Sequence, residues 1–280
     1  MRRFDGRVVV VTGAASGIGA ATAVEFARRG ADLALCDIDE PGLKATAARC
    51  RMYGVAATAQ AVDVASRPAV YSFADQVLAE YGRVDVVVNN AGVGLLGDAA
   101  TVSDDGLEWI VDVNFWGVVH GTRAFLPALQ RCGGGTVVNV SSVYGLLGMP
   151  SQSSYSATKF AVRGFTESLR MELLMAGSST RVMCVHPGGI RTNIARNVRF
   201  DGEGVARPRD LRSAAESFDH LAHTSPDRAA RTIVDGVARK KIRLLVGADA
   251  VLMDVLQRLF PVGYQRLTVF VTRRFLRQYA

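Results

Sequence analysis

No two cysteines in this chain form a CxxC pair. Cys36, Cys50, Cys132 and Cys184 are scattered, and Cys36 and Cys184 fall in apolar, strand-like runs. This spacing argues for reduced, buried thiols and a cytoplasmic compartment. No run of eighteen apolar residues occurs, so no transmembrane helix is expected. The apolar stretch after "MRRFDGR" is too short for a signal peptide and runs at once into a glycine turn, so it reads as a first strand. Histidine is scarce, with 4 in the chain. Only His220 and His223 stand close together, and with Asp219 alone beside them no metal is expected. No repeat, low-complexity tract or composition break marks a second globular domain. A glycosylation sequon, "NVS" at Asn139, exists by its letters, but it sits in a central strand of a chain without a secretion signal.

What is present is core-forming material: 280 residues, 49% hydrophobic and 21% charged. That suits one large folded domain and argues against disorder. Strand-like runs at Arg7–Thr12, Asp32–Cys36, Val55–Ala61, Asp85–Asn89, Thr136–Val140, Arg181–His186 and Ile242–Val246 alternate with helix-period segments. The helices are predicted near Ile18–Arg29, Pro41–Met52, Pro68–Tyr81, Asp104–Gln130, Ser154–Ala176 and Pro226–Arg239. In "TSPDRAA" a cap, a first-turn proline and an acid mark a helix start. Continuously apolar strands are those of a parallel sheet covered on both faces. The reading is an α/β, doubly wound (Rossmann) single domain with a seven-stranded parallel sheet. It covers residues 1–248, with a polar, arginine-rich lid at about 190–223, and an amphipathic extension follows over 249–280.

"VVVVTGAASGIGAATAVEFARRG" reads as strand, glycine turn and helix. Gly13 permits the tight turn, while Gly17 and Gly19 let a dinucleotide and the neighbouring strand approach the backbone. The free N–H groups of the helix start then face a pyrophosphate. Asp37 ends the second strand, twenty-four positions after Gly13, where an acid accepts hydrogen bonds from both ribose hydroxyls and repels a 2′-phosphate. Ile38 follows, and the turn carries Ala14 and Ala15, so no basic partner for a phosphate is visible. NAD is therefore favoured over NADP. The competing reading of Asp37 is a capping acid before Pro41.

With these motifs in place the chain resembles the short-chain dehydrogenase/reductase family, in its single-domain form, over about residues 5 to 247. "TGAASGIG" (Thr12–Gly19) resembles its cofactor turn, which implies contacts from Gly13, Ser16, Gly17, Ile18 and Gly19. Asp63 and Val64 match its adenine contact. "NNAG" matches the loop that steadies the sheet beside the cofactor, with Asn90, Ala91 and Gly92 as contacts. Asn114 in "VDVNFWG" matches the family's helix asparagine, Ser142 its catalytic serine, and "YSATK" supplies Tyr155 and Lys159. "HPGGIRT" matches the nicotinamide loop, which implies Pro187, Gly188, Ile190 and Thr192. The resemblance further implies that Lys159 binds the nicotinamide ribose, that Asn114 holds a water linking Lys159 to solvent, and that the chain forms a homodimer or homotetramer through its two long helices.

The chemistry accounts for this choice of residues. A free phenol has a pKa of about 10 and is a poor base at neutral pH. Lys159, four residues from Tyr155 on one helical face, is expected to lower that value by its charge. Tyr155 then exchanges a proton with the substrate oxygen as hydride moves between carbon and cofactor, and Ser142 orients that oxygen. Val93, Leu95, Leu96, Val143, Leu146, Leu147 and Met149 surround the expected pocket and suit a lipophilic secondary alcohol or ketone. Arg191, Arg196 and Arg199 in the lid offer partners for a substrate anion or simply a solvated face. An NADP-dependent carbonyl reductase and a cofactor-sensing protein without turnover are the alternatives.

The net charge of +7 is confined to the last 42 residues, Arg239 onward, and the rest of the chain sums to zero. Nucleic acid is not expected as a partner. In the tail, Val251, Leu252, Val255, Leu256, Leu259 and Phe260 share a helical face, broken by Pro261–Gly263. That face either lies on an anionic membrane as a peripheral contact or packs on the protein body or a partner subunit. The short stripe favours packing.

Overall fold

The computed structural model describes residues 3–192, 194, 197–204 and 222–278, the last four by backbone alone. Seven strands form one parallel sheet: β1 (Val8–Thr12), β2 (Asp32–Asp37), β3 (Ala57–Ala61), β4 (Val86–Asn89), β6 (Thr136–Val140), β7 (Arg181–Pro187) and β9 (Arg243–Val246). Their order is β3-β2-β1-β4-β6-β7-β9, so the chain winds outward in one direction, returns to the centre and winds outward in the other. All seven predicted strands are present. Burial explains their composition. The central β1 and β6 are buried at every position, whereas the edge strand β3, after a buried Ala57, alternates between half-buried and exposed. Only a strand covered on both faces needs an unbroken apolar run.

Helices α1 (Gly17–Arg28), α2 (Glu40–Arg51), α3 (Arg67–Tyr81), α4 (Asp104–Val111), α5 (Gly117–Arg131), α6 (Ser153–Met175) and α7 (Pro226–Ala238) make the crossovers, and α8 (Ala248–Leu259) and α9 (Gly263–Gln278) follow β9. Ser66, Ser103 and Ser225 cap α3, α4 and α7 through their hydroxyls, as the "TSPDRAA" pattern predicts for the last. Two apolar layers sandwich the sheet. One joins Phe26, Leu33, Leu35, Leu43 and Ile233, and the other joins Phe73, Phe125, Leu129, Leu169 and Val137.

Two expectations are corrected. The single helix predicted over Asp104–Gln130 is interrupted by a π-helical turn, Asp112–Trp116, which widens the helix around the buried Asn114. The segment predicted as an irregular lid contains a short strand, β8 (Arg199–Phe200), paired in parallel with β5 (Leu95–Leu96). Arg196, Asp219 and His220 lie outside the described residues. Arg199 places its guanidinium 5.4 Å from the Trp109 ring, His223 is exposed, and no group of metal-ligating side chains occurs among the described residues. The four cysteines are free. Cys36, Cys50 and Cys184 are buried as expected, but Cys132 is partly exposed because it follows the last turn of α5. Asn139 is buried and donates to Thr166 Oγ1, so its sequon is closed inside the sheet.

Candidate active site

The direction of winding reverses between β1 and β4, and a crevice opens there at the carboxyl ends of the strands. The glycine turn fills its floor. Gly13 has φ +66°, and a side chain there would press on Ala91 Cα at 2.7 Å. A Cβ on Gly19 would overlap the carbonyl oxygen of Gly13, and one on Gly17 would meet Thr192 Cγ2 at 3.2 Å. Thr12 and Asn90 pin the turn from behind. Thr12 Oγ1 accepts from the N–H groups of Asn90 and Ala91 at 3.0 Å each, and Asn90 Nδ2 donates to the carbonyls of Thr12 (3.0 Å) and Gly13 (3.1 Å). Ser16, at the N-cap of α1, makes no side-chain cap. A helix start with uncapped N–H groups and a glycine-lined approach fits a dinucleotide pyrophosphate.

Asp37 stands at the end of β2, where its carboxylate accepts from Ala15 N (2.9 Å) and Asp39 N (3.0 Å). The capping role weighed for Asp37 belongs instead to Asp39, which accepts from Gly42 N. Asp63 is exposed and Val64 is buried against Gly117 of α5. Asn89, beside them, ties three elements together by donating to Thr122 Oγ1 (3.0 Å) and Asn139 Oδ1 (2.8 Å).

On the other side of the crevice, Ser142, Tyr155 and Lys159 converge. Ser142 ends the strand β6 and turns the chain into a 3-10 turn, Val143–Gly145, whose Tyr144 N–H it accepts at 3.1 Å. Tyr155 and Lys159 lie in the first turns of α6, with Lys159 Nζ 5.6 Å from the Tyr155 ring centroid. Lys159 is 3% exposed and donates to the carbonyl of Val140 at 3.2 Å. Gly92 approaches so closely that a Cβ there would lie 3.3 Å from Nζ and 3.1 Å from Asn114 Oδ1. Asn114 commits its side chain to the loop after Asn89–Gly92, accepting from Val93 N (2.8 Å) and donating to Val93 O (2.9 Å).

The electrostatics differ from the sequence expectation. Burial pushes the Tyr155 phenol up to about 12, with the Ser142 hydroxyl pulling the other way. Burial likewise brings the Lys159 ammonium down to about 8. The helical spacing is as predicted, but taking both groups out of water outweighs their mutual influence, and the ammonium is spent on the Val140 carbonyl. Tyr144 packs edge-on against Tyr155, with ring centroids 6.0 Å apart, and completes the enclosure.

The loop after β7 closes the site. Pro187, Gly188, Ile190 and Thr192 follow the buried His186, and Ile190 bridges to Thr224. Two residues to which the sequence alone assigned no role organise this corner, Asp249 and His186, the latter the first residue of the "HPGGIRT" stretch. Asp249, at the start of α8, accepts from Gly189 N at 2.5 Å and sits so close that Gly188 can hold no side chain. His186 Nδ1 lies 3.1 Å from the carbonyl of Ser142, and burial takes its imidazole down to about 4. A neutral ring donates Nδ1–H to that carbonyl and so holds the Ser142 backbone. Of the predicted pocket residues, Leu95, Leu146 and Leu147 are almost wholly buried and back the site, while Val93 and Met149 keep some surface. A cavity of about 320 Å³ opens between Met149, Pro150 and Ser153 on one side and Tyr264, Thr268 and Val269 of α9 on the other.

The sequence matches the short chain dehydrogenase family over residues 7–202. The chain belongs to that family. "Putative oxidoreductase SadH" of Mycobacterium tuberculosis is 47% identical over 277 residues, 98% of each chain. Mouse "Estradiol 17-beta-dehydrogenase 11" is 33% identical over 91% of this chain and 80% of its own length. A short-chain dehydrogenase/reductase from Burkholderia phymatum, solved in complex with NAD, superposes with a TM-score of 0.82 at 31% identity, covering 95% of this chain and 97% of that one. A metagenomic short-chain oxidoreductase solved with NADP gives a TM-score of 0.70 at 30% identity, covering 87% and 98%. The protein is an NAD(P)-dependent oxidoreductase of the short-chain dehydrogenase family.

Proposed function

We propose that this enzyme interconverts a lipophilic secondary alcohol and its ketone, with NAD as the favoured cofactor and Tyr155 as the general acid and base. The observation that carries the reading is the convergence of Ser142, Tyr155 and Lys159 on one buried corner, facing the glycine turn across the crevice. The cofactor, when bound, supplies or accepts the hydride. Ser142 orients the substrate oxygen. At about 12, the Tyr155 phenol holds its proton at neutral pH, the form that protonates a carbonyl oxygen during reduction. For oxidation the phenol must first lose its proton to solvent, and the phenolate then takes the alcohol proton. Lys159, still largely protonated at pH 7 with a value of about 8, is the chain's own source of the positive charge that favours the phenolate. Lys159 would also hold the nicotinamide ribose, and Asn114 would keep a water connecting Lys159 to solvent.

Asp37 supports NAD, because its carboxylate stands at the end of β2 with no basic side chain next to it in sequence. Val93, Met149 and the apolar residues behind them support a lipophilic substrate, as does the similarity to an estradiol dehydrogenase. A homodimer or homotetramer through α5 and α6 is supported by exposed Trp116, Phe160, Met171 and Leu174. Initial rates with NAD and NADP on a panel of secondary alcohols, sterols and retinoids test the proposal by nicotinamide absorbance. NAD-preferring turnover of apolar members is expected. A strong NADP preference would overturn the role given to Asp37. Cofactor binding without turnover of any alcohol would favour a sensor.

A further inference from the structure

Packing of the tail onto the protein body is only partly realised. Ala250, Asp254 and Tyr264 turn inward, and Tyr264 Oη accepts from Gly148 N at 3.1 Å. The opposite faces of α8 and α9 and the turn between them remain in solvent, with Leu252 69%, Val262 71% and Phe270 66% exposed, alongside Leu259, Phe260 and Val271. Arg258, Arg266, Arg273 and Arg274 are exposed among them. The two acids of these helices balance only Arg258 among these four arginines. Asp249 accepts from Gly189 N, and Asp254 is paired with Arg243 and Arg258.

We propose that the outer faces of α8 and α9 dock on an anionic lipid surface. Apolar side chains at the tips of amphipathic helices, ringed by arginine with no free acid, match a bilayer interface in both chemistry and sign. A second copy of this face matches poorly, because a two-fold contact would set arginine against arginine. Neither helix is long and apolar enough to cross a membrane, so the chain would lie on the bilayer. The docking itself rests on exposure and charge and does not depend on the alcohol reading.

The test is co-sedimentation of the full chain with vesicles of phosphatidylcholine alone and of phosphatidylcholine mixed with phosphatidylserine, with light scattering in parallel. Binding is expected to the mixed vesicles, to weaken with salt, and to fall by roughly fivefold for each arginine neutralised. The double variants L252D/F270D and R266E/R273E should each lower the bound fraction tenfold or more, with unchanged circular dichroism showing that both still fold. The proposal is overturned if the chain ignores both kinds of vesicle, if it binds neutral and anionic vesicles equally, or if neither variant changes binding. It is also overturned if the variants split an oligomer in solution while vesicles capture nothing.

Discussion

Lys159 lies 3% exposed with one backbone carbonyl for a partner, while Arg266, Arg273 and Arg274 of the same chain stand in open water beside exposed Phe270 and Val271. At the catalytic corner charge is buried and apolar side chains are covered; on α8 and α9 both are left out. Burying an ammonium is costly, and the shift of Lys159 to about 8 records that cost. A fold tolerates such a group where function needs it. Leaving leucine and phenylalanine in water costs little in a folded monomer but is unusual over a contiguous surface, and it points to something outside the chain. On the readings proposed above, one region serves chemistry and the other contact.

Substitutions at each region should separate the two roles. The largest effect is expected from Tyr155→Phe, which removes only the phenolic oxygen. Turnover should fall by about 10²–10⁴-fold, the range for a lost general acid–base, while NADH fluorescence titration shows cofactor binding retained. A variant with near-normal turnover would remove Tyr155 from the mechanism. A smaller effect is expected at His186, which lies in the same buried corner. Its folded value of about 4 lies below the ordinary 6.5, so between those pH values the unfolded chain takes up a proton that the folded chain refuses. Stability is therefore full above pH 6.5 and is lost as pH falls toward 4, by about 3 kcal/mol at 1.36 kcal/mol per pH unit of displacement. In His186→Gln that acid loss should shrink in urea titrations run at pH 6.5 and 4.5. An unchanged acid loss would mean that other groups drive it. The smallest effect belongs to the contact surface. Leu252→Ser should move stability by no more than about 0.5 kcal/mol, as for an exposed position, whatever it does to lipid binding. A larger loss in thermal unfolding would show that the helix is covered in the protein itself.

The central strands were legible because a parallel sheet covered on both faces demands unbroken apolar runs there. The glycine turn was legible because Gly13 and Gly19 leave no room for a Cβ. Less could be read where an effect depended on distant neighbours. The break in the helix at Asn114 depends on Val93 holding the side chain, which no local pattern records. Asp249 and His186 escaped notice for the same reason. Each acts on a residue far along the chain, Gly189 and Ser142, and the "HPGGIRT" stretch that His186 opens says nothing of Ser142.

The sequence alone determined which residues meet at the carboxyl ends of the strands, since strand periodicity, glycine positions and the four-residue spacing of Tyr155 and Lys159 are local properties. Only the tertiary structure decided the balance of forces among them. A pKa follows from how much water remains around a group and where its partners point. Burial set that balance, raising the Tyr155 phenol and lowering the Lys159 ammonium where adjacency in sequence had suggested mutual stabilisation. The same holds for the tail, whose apolar stripe is written in the sequence but whose exposure depends on what the rest of the fold leaves uncovered.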